Sequence, residues 1–284
     1  MSRALTLRRW RWREPSILPG FAPALGFTLF YVGLIVLIPL CALVARPWEH
    51  GIGGFWATIT EDRVLAALRL SFTAALAAAV VNVAMGLIVA WALVRFEFPG
   101  RRLLDAAVDL PFALPTAVAG IALATLYAPN GWVGALFAPF GIKIAYTPLG
   151  VFIALVAVGL PFIVRTVQPV LQDLDAEVEE AARLLGAPAW RRFVEIIFPA
   201  ILPALITGFS LAFARAVGEY GSVIFIAGNL PMKSEIAPLL IVVKLEQYNY
   251  AGAASVGLAM LILSFAVLAA INLTQRVIAR RGAA

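Results

Sequence analysis

Six long stretches of the chain carry no Asp, Glu, Lys or Arg: residues 15–45, 70–94, 110–142, 144–164, 196–214 and 247–275. A helix rises about 1.5 Å per residue and a bilayer core is about 30 Å thick, so roughly 20 apolar residues cross it. Each stretch can hold one span. The pattern predicts an all-α integral membrane protein of about six transmembrane helices, near 24–45, 66–94, 109–128, 148–171, 196–218 and 251–275. The third ends near Tyr127, because the following Ala-Pro-Asn-Gly reads as a turn. Residues 220–232 are apolar but too short to cross. Ser234 is a candidate N-cap for the helix-like stretch behind it, which offers about 12 residues before Glu246. Residues 220–250 therefore predict an excursion of re-entrant form. The expected organisation is a basic N-terminus (1–20), one membrane domain (21–275) and a basic tail (276–284).

Composition agrees with the pattern. The chain has 284 residues, 62% hydrophobic and 13% charged, where a soluble domain carries about 25% charged. One cysteine, Cys41, excludes an internal disulfide. One histidine, His50, excludes His/Cys metal clusters and a Ser-His-Asp triad. No lysine follows a glycine, so there is no phosphate-cradling G-x-x-x-x-G-K-[ST] loop. The N-terminal "MSRALTLRRWRWREP" is basic, but no small-residue cleavage site follows its long apolar run, which predicts an uncleaved anchor.

The net charge of +6 sits at the ends of apolar runs, where it sets topology rather than binding nucleic acid. Six spans put both termini on one side. That side collects 14 basic residues, from Arg3 to Arg281; the other holds Arg46, Arg63, Lys143, Lys233 and Lys244, which is 5. The bias predicts cytoplasmic termini. It also puts the charged stretch between spans four and five in the cytoplasm, and the 220–250 excursion outside.

That stretch, "DLDAEVEEAARLLGAPAWRRFVEIIFP" (173–199), is unusual in so apolar a chain. Asp175 is a plausible N-cap, and the acids behind it suit the positive end of a helix dipole. Gly186 would stop that helix and Pro188 open a second one. Ala181 and Ala182 leave a small-residue patch beside Glu179, Glu180 and Arg183. From this pattern alone two readings stand: an amphipathic loop on the membrane surface, or a knob that docks a cytoplasmic partner.

The spacing Glu180-Ala181-Ala182, three residues, Gly186, nine residues, Ile196, one residue, Phe198-Pro199 resembles the EAA signature of ABC-importer permeases. That signature usually ends in Leu-Pro; here Phe198 replaces the leucine. The resemblance extends through 98–123, 159–182 and 209–231 to sulfate and molybdate permeases. "EIAPLLIVVKLEQYNYAGAA" at 235–254 is similar to the sulfate/thiosulfate permeases of the CysT (CysU) type. The resemblance implies a MetI-like (type I) importer fold. It implies that 174–199 forms coupling helices, with Glu179, Glu180, Ala181, Ala182, Arg183, Leu185 and Gly186 facing an ATPase subunit. It also implies a second permease subunit resembling CysW, two ATPase subunits that bind ATP and Mg, and a periplasmic sulfate- or thiosulfate-binding protein. The chain itself would carry no cofactor and no catalytic residue.

Ionisable groups within spans usually face a cavity or a partner. Arg69, Arg165 and Arg215 are candidates for an anion path, because guanidinium matches an oxyanion with paired hydrogen bonds. Local neutralisation or snorkelling is the alternative; Arg215 and Glu219 lie four apart on one helix. Asp109, Pro111 and Pro115 open span three, as an N-cap with a proline-tolerant first turn or as a kink shaping a gate. Gly218, Glu219, Tyr220 and Gly221 read as a bend or gate where span five exits. Asn82, mid-span, predicts a helix–helix hydrogen bond. Tyr248 and Tyr250 read as interfacial anchors. The reading is half of an anion pathway in an inner-membrane ATP-driven importer. Its alternatives are a molybdate/tungstate permease and, in a different class, an ATP-independent secondary transporter. The latter predicts internal repeats and mid-membrane coupling carboxylates, neither of which is visible.

Overall fold

The computed structural model describes residues 20–282, without the side chains of 50 and 276–282. Expectations for residues 1–19 and for the charges of the tail lie outside the described residues. Every regular element among the described residues is helical. Besides two 3-10 turns, at Arg46–His50 and Ala138–Phe140, they are in chain order α1 (Phe21–Val32), a π-helical turn (Gly33–Leu37), α2 (Ile38–Ala45), α3 (Gly51–Ile59), α4 (Asp62–Arg95), α5 (Arg101–Val108), α6 (Leu110–Ala113) and α7 (Thr116–Tyr127). Then come α8 (Gly134–Phe137), α9 (Pro148–Gln172), α10 (Ala176–Leu184), α11 (Ala189–Arg192), a second π-helical turn (Phe193–Ile197) and α12 (Phe198–Val217). The chain closes with α13 (Val223–Ile226), α14 (Ala237–Glu246) and α15 (Tyr250–Gly282).

Five of these stretches are long and apolar enough to cross a membrane: Phe21–Glu49, Asp62–Arg95, Pro148–Gln172, Ala189–Val217 and Tyr250–Gln275. The segment 109–128 takes a different form. Leu114 is extended, with ψ 137°, and separates α6 from α7. The cause is Pro115, whose ring disfavours helical backbone in the residue before it. The remaining helix α7 is about 18 Å long.

Residues up to Ala45 make one compact unit and the rest another. In the first, α1 and α2 bury no residue and are apolar on every side, which suits lipid or a partner helix. In the second, α4, α9 and α12 pack against one another and supply most of the buried core. Small residues explain the closeness. Ile163 of α9 sits between Gly86 of α4 and Gly208 of α12. A Cβ at Gly86 would lie 2.7 Å from the Ile163 Cβ, and one at Gly208 3.1 Å from its Cα. Half of the buried residues of α4 are alanine, at positions 67, 74, 75, 78, 79 and 90, so the backbones approach where larger side chains would hold them apart.

Asn82 departs from expectation. It is fully buried between α4 and α9, yet neither its Oδ1 nor its Nδ2 has a hydrogen-bond partner. The facing residue is Gly159, which has no side chain to offer.

Both π-helical turns end two residues before a proline, Pro39 and Pro199. Proline lacks an N–H and its ring crowds the carbonyl one turn back, so a widened turn accommodates it.

The stretch 220–250 folds back onto the bundle. α13 packs on α7 and α9, and α14 on α4 and α15. Ser234 does not cap α14; its Oγ accepts from the Leu230 N–H instead, at 3.1 Å. The first N–H of α14, that of Ala237, donates to Ser71 Oγ of α4 at 2.8 Å. A side chain 166 residues away thus does what a local cap would have done.

Candidate functional site

The EAA-like segment is built from two short helices at a tight bend. Asp175 caps α10, its carboxylate accepting from the Glu177 N–H at 2.9 Å. At the other end Ala187 N–H donates to the Ala182 carbonyl and Gly186 N–H to that of Arg183, both at 3.0 Å. This is the paired closure that a left-handed residue permits, and Gly186 has φ +83°. Pro188 then leads into α11. Between the two helices lies an open groove of about 250 Å³, lined in part by Ala182, Gly186, Arg191 and Glu195.

Glu180, Ala181, Arg183, Leu185 and Gly186 are exposed and Ala182 is half-buried in the groove wall. Leu184 and Leu185 are 89% and 88% exposed. Two bare leucines at the end of a charged, water-compatible helix are a surface that a partner would cover. Trp190, 74% exposed, extends it. Leu184 and Trp190 are absent from the residues singled out by sequence; their apolar character is unremarkable until their exposure is known. Glu179 turns the other way. Its carboxylate pairs with Arg95, at the last turn of α4.

The three candidate arginines occupy different situations. Arg165 of α9 ties down the α5–α6 joint. Its Nε and one terminal nitrogen donate to Asp109 at 2.8 and 2.6 Å. The other terminal nitrogen donates to the Asp105 carboxylate at 2.6 Å and to Gln168 at 2.7 Å. A further bond reaches the Asp105 carbonyl at 2.8 Å. A guanidinium has five N–H donors, and all five are used here. Asp109 stands at the N-cap position of α6 but makes no capping hydrogen bond, because Arg165 takes its carboxylate.

Arg215 of α12 pairs with Glu219, one turn on. The Glu219 side chain is 1% exposed, and it also accepts from the Ser222 N–H at 2.9 Å and the Ser222 hydroxyl at 2.8 Å. Gly218 ends α12, Tyr220 is half-buried, and Gly221 brings this loop against α7. A Cβ at Gly221 would fall 2.2 Å from Thr116 Oγ1, directly after the Pro115 break. Glycine is required there by close approach. The structure thus joins the Pro111–Pro115 region and the Gly218–Gly221 region, which are remote in sequence. Pro111 lies in the first turn of α6.

Arg69 differs from both. It lies on the exposed side of α4 and forms no ion pair among the described residues. Thr73, one turn further, is exposed on the same side, and its hydroxyl donates back to the Arg69 carbonyl at 2.6 Å.

Residues 82–282 match the family described as binding-protein-dependent transport system inner membrane component. The sulfate transport system permease protein CysT of Synechocystis sp. is 52% identical over 249 residues, 88% of this chain and 87% of that one. Its namesake from Escherichia coli is 46% identical over 265 residues, 93% and 96% of the two chains. Among solved structures, a chain of a bacterial alginate ABC transporter, crystallised with an alginate pentasaccharide-bound periplasmic protein, superposes with a TM-score of 0.75. That likeness covers 90% of this chain and 94% of the other at 16% identity, and it shows a shared fold.

Proposed function

The chain belongs to the family of binding-protein-dependent transport system inner membrane components, and from that premise we propose that it is the permease subunit of an ATP-driven sulfate importer. The observation that carries the coupling role is the bare Leu184–Leu185 end of α10 beside the α10–α11 groove. An apolar, small-residue knob beside Glu180 and Arg183 fits a cleft in an ATPase subunit. The high identity to sulfate permeases along nearly the whole of both chains supports the substrate, with thiosulfate as a second oxyanion of the same charge.

In this reading the chain is half of the pathway and pairs with a second permease subunit resembling CysW. Both termini and α10–α11 are cytoplasmic, by the 14-to-5 excess of basic residues. A periplasmic binding protein delivers the anion to the opposite face. Two ATPase subunits bind ATP and Mg, and this chain holds no cofactor. Their closure displaces the coupling helices and switches the spans between inward-facing and outward-facing arrangements, a rigid-body change between two states.

The arginines take separate roles. Arg165 and Arg215 have their charge satisfied by protein carboxylates and act as fasteners at the bends. Arg69 has hydrogen-bonding capacity to spare within a spanning helix, where an unpaired charge belongs beside water, substrate or a partner rather than lipid. It is the path residue. Weak, transient attraction suits conduction, because a tightly caged dianion would not leave.

Uptake of labelled sulfate by the reconstituted complex tests the substrate. Excess unlabelled sulfate should abolish the signal and equimolar molybdate should leave most of it. Molybdate competing as well as sulfate would reassign the substrate.

A further inference from the structure

We propose that α4 is a connecting rod, which carries displacement of the coupling helices to the opposite face of the molecule through the Glu179–Arg95 pair. The inference rests on the proposed function and adds the route by which its two ends communicate.

At one end of α4, α10 and the π-helical turn beyond α11 both reach its last turns. From α10, Glu179 pairs with Arg95. Arg95 also lies over the Trp91 ring, 5.2 Å from its centre. From beyond α11, Phe193 stands edge-on to Trp91 at 5.6 Å. Phe193 in turn contacts Trp190 and Phe198, each at 6.1 Å. The two sides of the Gly186 bend are thus held to α4 by one ion pair and one aromatic contact. A pull on either moves Trp91 and Arg95.

At the other end, α4 grips the α14 excursion. Arg63 donates twice to Glu235, at 2.8 and 2.7 Å. Lys244 donates to Glu61 at 3.1 Å, and Ser71 receives the first N–H of α14. Glu235 is 2% exposed on its side chain, so this clamp is buried on the loop side. The 34 residues between span about 51 Å without a break, enough to reach from one face of a bilayer to the other.

A rod must be able to move. Four side-chain polar atoms among the described residues are buried without a hydrogen-bond partner, and three lie on α4: both amide atoms of Asn82, and Arg95 Nε. Each such group gives up its hydration without the hydrogen bond that would offset it. The seat of α4 against α9 and α12 is therefore not its best for hydrogen bonding. A second arrangement has bonds to gain at mid-rod and at the latch, as a two-state element requires.

The test uses the complete reconstituted complex and reads ATPase activity with and without sulfate-loaded binding protein. Arg95→Gln keeps the Trp91–Phe193 contact but loses the charge, and with it the ion pair and the cation over Trp91, and Glu235→Gln loosens the far clamp. Each should cut the stimulated activity about fivefold or more, the usual scale of coupling between sites, with basal activity and assembly preserved. The exchange R95E with E179R should restore stimulation. Full stimulation in Arg95→Gln, or an exchange no better than the single variant, overturns the inference and leaves the proposed function standing. An unvaried complex that sulfate-loaded binding protein does not stimulate overturns both.

Discussion

At the scale of single residues, the same side-chain type does three jobs depending on its partners. Arg165 spends all five donors on Asp105, Asp109 and Gln168, so a sulfate could reach it only by breaking bonds already made. Arg215 is neutralised by Glu219. Arg69 is exposed on the side of α4 away from the core. Arg69→Ala should therefore lower sulfate uptake about tenfold while the complex still assembles, with Arg69→Lys in between, since an ammonium keeps the charge but not the paired geometry. Unchanged uptake kinetics in Arg69→Ala would remove it from the path. Arg165→Lys should instead act on stability. Three rotatable donors cannot reproduce a five-bond fork, and a loss of about 1–3 kcal/mol is expected at this half-exposed site. The check is the thermal unfolding midpoint in detergent, which should fall; a midpoint equal to wild type would deny the fork its structural role.

At the scale of elements, what was legible in the sequence was local. Charge-free runs marked the spans, Asp175 marked the start of α10, and Gly186 its left-handed end. What was not legible depended on partners far along the chain. Arg165 finds Asp105 60 residues away, Glu179 finds Arg95 at 84, and Arg63 finds Glu235 at 172. A charge pattern says that such groups need partners and does not say which. The same limit explains Ser234 and Asp109: each is a good cap by type, and each side chain is drawn elsewhere. Pro115 left two readings open, a proline-tolerant first turn or a kink, and the extended Leu114 before it is the kink. For the coupling element itself, burial of two leucines contributes about 1.5–3 kcal/mol each. Leu184→Ser with Leu185→Ser should thus weaken ATPase-subunit binding by about 100-fold or more. Titration of the ATPase onto the purified membrane subunits measures it, and an unaltered affinity would place the docking surface elsewhere.

At the scale of the whole molecule, the account joins three regions: the α10–α11 knob, the tightly packed α4–α9–α12 core, and the α14 excursion pinned on α4. Close packing is what makes displacement transmissible, because a core without slack moves as bodies rather than by deformation. Ile163 between Gly86 and Gly208 is one of the close approaches in that core, and the small-residue face of α4 permits sliding where bulky side chains would lock. The central claim is that ATP hydrolysed elsewhere drives sulfate through this chain by way of α10. It is tested most directly by ATP-dependent uptake of labelled sulfate into vesicles holding the full complex, with Glu180→Ala and Gly186→Val combined in this subunit. The account predicts that ATP-dependent uptake collapses while the membrane subunits still assemble. ATP-dependent uptake at the unvaried rate would contradict it.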